Sequence, residues 1–142
     1  MNIVWGVTLV ILGALAWGGQ TMSWLAPKPA ARLGLTEEES AVEPVFWADV
    51  RGEAAWDSLT LWPLVVAGCL LIVDSPSWSS WGAVGGGVYL YFAGRGVLTR
   101  AALLRRGFRV GNPANVTSAF VALSVWGLTG AVTIVASLVH LN

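Results

Sequence analysis

Charge is scarce in this sequence: 11% of its 142 residues are Asp, Glu, Lys or Arg, where a soluble globular domain carries about 25%. Cysteine and histidine are scarcer still, with one of each, Cys69 and His140. A lone cysteine closes no disulfide within the chain and builds no thiolate metal site, so thiol-pair redox chemistry is excluded for a single copy. His140 stands at the end of the last apolar run with only Asp74 on the same side of the molecule, and neither haem ligation nor acid–base catalysis is served by one isolated group. Gly85, Gly86 and Gly87 lack the strand and the Lys-Ser/Thr context of a phosphate loop. Ser118, Ser124 and Ser137 form no recognisable nucleophile–base pair. A net charge of zero argues against a nucleic-acid partner. No catalytic residue, cofactor or metal site is therefore expected.

What the sequence has in abundance is apolar surface. Hydrophobic residues make up 56%, mean hydropathy is +0.68, and there are nine tryptophans and seventeen glycines. Both residue types are frequent in membrane-spanning segments. A hydrocarbon core about 30 Å thick needs roughly 20 apolar residues in a helix, and four runs approach that length: 3–25, 58–73, 81–98 and 116–139. The predicted fold is all-α, a single domain over 1–142 made of four transmembrane helices, with the lipid bilayer as its main partner. The seven arginines and one lysine all lie after the first run or around the end of the third. The positive-inside rule places both long connections in the cytoplasm and leaves the 74–80 hairpin and both termini outside. That orientation also disqualifies Asn115-Val116-Thr117 as a glycosylation acceptor. Ala14-Leu15-Ala16 fits a signal-peptidase pattern, but no positive residue precedes the run and the run continues to Leu25, so it reads as a span.

The first connection carries several signals. Pro27 and Pro29 end the first helix. Thr36-Glu37-Glu38-Glu39 predicts a short amphipathic interfacial helix with Thr36 as cap and Glu39 in the reciprocal position. After Pro44, residues 46–57 read as helix leading into the second span, which Pro63 bends by removing one backbone hydrogen bond.

Small residues at four-residue spacing mark faces where another helix can approach closely: Gly82, Gly86 and Gly94 in the third run, Ala14 and Gly18 in the first, Gly127 and Ala131 in the fourth. They predict packing inside the bundle, with a homo-oligomer or a membrane-protein partner as the alternative. Trp5, Trp24, Trp56, Trp62, Trp78 and Trp81 lie near helix ends and read as an aromatic belt. Trp17, Trp126, Tyr89 and Tyr91 lie deeper and are candidates for a flat lipid or quinone pocket. Asp49, Glu53 and Asp57 recur every four residues on one helix face. Without a histidine they make a poor transition-metal site, so pairing with arginine is the simpler reading. Arg95 lies about one turn inside the end of the third span, at the depth where Asp57 or Glu53 would meet it.

The plan of a first span ending in proline, Gly34-Leu35, Glu43-Pro44-Val45-Phe46, Asp49-Val50-Arg51-Gly52 and a glycine-rich third span closing in Gly94-Arg95-Gly96 resembles the DoxX-like superfamily of small bacterial four-helix membrane proteins. The likeness covers the layout of most of the chain, and residue by residue it rests on Arg51-Gly52 and Gly94-Arg95. Ala54-Ala55-Trp56 stands where that superfamily commonly has a Tyr-Gly-Gly-like run. The resemblance implies a compact bundle in a bacterial inner membrane, sometimes associated with quinone-linked sulfur oxidation, and carries over no catalytic residues. The functional expectation is a non-enzymatic accessory, assembly or interaction subunit. The alternatives are a quinone- or lipid-binding subunit of a redox system and a small oligomeric transporter or channel.

Overall fold

The computed structural model describes residues 2–141, which are helical with short connections. The helices are α1 (Asn2–Leu25), α2 (Pro27–Arg32), α3 (Pro44–Thr60), α4 (Pro63–Ile72), α5 (Trp78–Arg105) and α6 (Pro113–Leu141), with one 3-10 turn at Glu39–Ala41. Four of the six begin on a proline, the residue that needs no hydrogen-bond acceptor in a first turn and whose φ is already helical. Three stretches are long and apolar enough to cross a membrane: Ile3–Leu25, Pro44–Ile72 and Pro113–Leu141. The second joins α3 and α4 end to end. α5, at 28 residues, has the length but not the apolar content.

The join between α3 and α4 shows how a proline break is made good. Pro63 has no N–H for the carbonyl of Leu59 one turn back. The indole of Trp62 donates to that oxygen instead, at 3.0 Å. The neighbouring carbonyl of Ser58 accepts from the indole of Trp17 on α1 at 2.7 Å. Two main-chain acceptors are thus served by indole N–H groups, one of which ties the break to another helix.

α1 packs on α4, α4 on α5, and α5 on α6. These contacts are close because glycines meet main chain. A Cβ added to Gly86 would sit 2.7 Å from the carbonyl oxygen of Gly130, and one added to Gly130 would sit 2.7 Å from that of Gly86. Gly6 and Gly68 stand in the same reciprocal relation between α1 and α4. The main core, with Leu9, Leu61, Leu64 and Tyr89 fully buried, fills the space between these helices. A second, smaller core of Val42, Phe46, Val50 and Val110 lies where the two long connections meet. There Val42 and Val110 form an antiparallel bridge and Glu43 N–H donates to Arg109 O.

Outside, Ile3, Ile11, Leu15, Val121, Leu128 and Val135 are each at least half exposed. A soluble monomer rarely presents so much contiguous apolar surface.

Several expectations are corrected. The short helix between the first two long rods is α2, opened by Pro27, and Thr36 caps nothing: the only helical turn after it among the described residues is the 3-10 turn, which has no side-chain cap. Gly82 and Gly86 do face α6, but Gly94 and Gly18 face open space and Ala14 is exposed. Gly127 meets only the Cβ of Ala93, and Ala131 is half-buried.

Candidate functional site

All the charged side chains except Asp74 gather at the end of the bundle where α1 stops, α3 starts, α5 stops and α6 starts. Arg95 of α5 lies between two carboxylates of α3. Its Nη2 donates to Asp49 Oδ1 at 2.7 Å, and its Nη1 lies against Glu53 Oε1. Asp57, the expected alternative partner, is not part of this contact. The reason is helical geometry: residues four apart rotate by about 40°, so Asp57 stands about 80° round from Asp49. Burial follows the rotation, from Asp49 near the surface, through Glu53, to Asp57 at 7% exposure.

A second ion pair has no counterpart in the sequence reading. Arg100 Nη2 donates to Glu37 Oε1 at 2.9 Å, with both side chains nearly inaccessible, at 11% and 6% exposed. The guanidinium also lies over the ring of Phe46, 5.3 Å from its centroid. Glu37 comes from the connection after α2, so this pair pins that connection down onto α5. Arg51 closes the end of α1 by donating to the carbonyls of Ser23 and Trp24, where a cation favours the exposed end of a helix dipole. Arg109 Nε donates to Glu43 Oε1 at the rim, at 3.2 Å.

Between α1 and α6, beneath the 34–37 segment, lies a crevice of about 310 Å³. Its walls are apolar, with Leu15, Ala16, Ala122, Leu123, Phe92 and Trp126, and its charged end carries Glu37, Glu53, Asp57 and Arg100. On the opposite side a groove of about 350 Å³ runs between α3 and α5, past Asp49, Trp56, Tyr91 and Arg95. Glu53, Asp57 and Phe92 border both spaces and form the wall between them. Asp57 Oδ2 is buried in that wall without a hydrogen-bond partner.

The four deep aromatics do not make one pocket. Tyr89 is fully buried and donates to Gly13 O at 2.9 Å, a strut between α5 and α1. Tyr91, two residues on, faces the other way, is 65% exposed and lines the groove. Trp17 is partly exposed and holds the α3–α4 break. Of the four, Trp126 alone lines the crevice, and its indole donates to Leu12 O at 2.9 Å.

Among the described residues no three His, Cys, Asp or Glu side chains are grouped to hold a metal ion. The arrangement offers an amphipathic cleft with one unmatched carboxylate, which suits binding better than bond-making. Comparison with protein-family models, with curated proteins and with solved structures finds no match to this chain.

Proposed function

We propose that this chain is a non-enzymatic, four-span protein of a bacterial inner membrane that binds an amphiphilic molecule, a lipid or the headgroup of a quinone, in the crevice between α1 and α6. The observation that carries the reading is the crevice itself. Its volume lies at the lower end of the range of small-molecule sites, about 300–1,000 Å³, and it pairs apolar walls with a few polar groups at one end, as such sites do. In this reading α5 is the fourth span, its glycines, tyrosines and Arg95 shielded by α4, α6 and α3. The arginine-rich end faces the cytoplasm and both termini lie outside, as positive charge near span ends directs. The layout shared with the DoxX-like superfamily fits the same picture.

Purification in a mild detergent followed by native mass spectrometry tests it. A stoichiometric lipid or quinone should stay with the protein, and Ala122→Trp, which fills the crevice, should remove it. A fixed protein partner with no retained small molecule would favour an accessory or assembly subunit instead.

A further inference from the structure

Asp57 is the one charged group at the crevice that no neighbour answers. Its residue is 7% exposed, and no hydrogen bond or ion pair reaches its carboxylate from the described residues. Each nearby cation is already engaged. Arg95 holds Asp49 and Glu53, Arg100 holds Glu37, and Arg51 holds the carbonyls of Ser23 and Trp24. The lining of the crevice therefore carries three carboxylates, Glu37, Glu53 and Asp57, against one guanidinium. A carboxylate removed from water without a counter-charge is unfavourable unless a cation or a proton joins it.

The walls say what kind of cation would fit. Leu15, Ala16 and Ala122 give aliphatic contact, and Trp126 and Phe92, stacked edge to face at 6.1 Å, offer aromatic surface that favours positive charge. A bare inorganic ion would find no cluster of oxygen ligands here. An ammonium group with three donors on an apolar body would find an acceptor at Asp57 and cover for the rest.

We propose that the crevice takes a cationic amphiphile whose ammonium group rests on Asp57 and whose apolar body lies against Ala122 and Trp126. This rests on the amphiphile-binding reading above and narrows its ligand to an alkylammonium. A free amphiphilic amine and the amine headgroup of a phospholipid share that chemistry.

The test uses the whole chain in a neutral maltoside detergent, with n-octylamine and n-octanol as probes matched in length and differing in charge. Octylamine at saturation should raise Tm by about 3 °C or more, and octanol should leave it unchanged. Asp57→Asn keeps the shape of the side chain and should abolish the octylamine shift, and Ala122→Trp should do the same. Equal shifts from both probes, lost together in Ala122→Trp, would leave the crevice as a binding site and overturn the assignment of a cation. No shift from either probe would overturn both. The source of the amine is read from nanodiscs of phosphatidylcholine with added phosphatidylethanolamine. Retention of the ethanolamine lipid by the native chain and not by Asp57→Asn assigns the lipid; an octylamine shift without such retention assigns a free amine.

Discussion

Near Gly86 and Gly130, α5 touches α6 main chain to main chain. Further along the same helix, Arg95 and Arg100 reach α3 and the 34–37 segment through side chains alone. The first contact is held by dispersion and shape, which need no water and tolerate no added atom. The second is held by charge, which is costly to bury, sensitive to salt where exposed, and able to rearrange. One helix thus carries a rigid seam at one end and an adjustable one at the other, and the crevice lies at the adjustable end.

Substitutions should separate the two seams. The largest effect is expected for Gly86→Leu, which drives a side chain into the carbonyl of Gly130. It should cost about 3 kcal/mol or more, seen as a lowered Tm in detergent or as failure to fold. Gly94→Ala, on the same helix but facing open space, is its control and should change little. Next comes Arg100→Ala, which leaves Glu37 buried and unpaired at a cost of about 3 kcal/mol. Glu37→Ala combined with it should cost less than the two single changes added together.

Arg95→Ala should cost about 1 kcal/mol, because that pair is roughly one-third exposed and partly screened. Its double-mutant cycles should show coupling to Asp49 and Glu53 and additivity with Asp57. High salt should shrink the Arg95 effect and leave the Gly86 effect in place. The smallest perturbation is cysteine labelling in a Cys69→Ser background. Ser77→Cys and Ser40→Cys both alter exposed positions at opposite ends of the bundle. An impermeant reagent applied to intact cells should reach position 77 and not position 40. The reverse pattern would put the arginine end outside.

The helical rods were legible because apolar runs report them directly, and the break at Pro63 because a missing N–H is a property of the residue alone. Gly86 was legible through its four-residue spacing from Gly82. Gly130, Gly6 and Gly68 escaped notice for want of that spacing: four residues away on either side stand Trp126 and Ile134, Asn2 and Val10, Leu64 and Ile72. The acidic stripe pointed to the right helix face but not to the right carboxylate, since a four-residue repeat on a 3.6-residue helix drifts from surface to interior. The pairing of Glu37 with Arg100 spans 63 positions and starts from a connection with no periodicity, so nothing local announces it. Tyr89 and Tyr91 were grouped by depth alone, although two residues on a helix lie on nearly opposite faces.

On the four-span reading, the modest apolar content of α5 bears on how the chain is made. A helix this rich in glycine and tyrosine, with an arginine inside it, has little drive to leave a translocation channel for lipid on its own. α4, of 10 residues, is about 15 Å long, half the depth of the hydrocarbon core. Insertion of the middle of the protein would then wait on cooperation, with α4 and α5 entering as a hairpin and α6, the most apolar of the candidate spans, completing the cover as it emerges. A chain truncated before Pro113 should remain at the channel or be degraded, which makes the last helix to be synthesised the one that commits the others to the membrane.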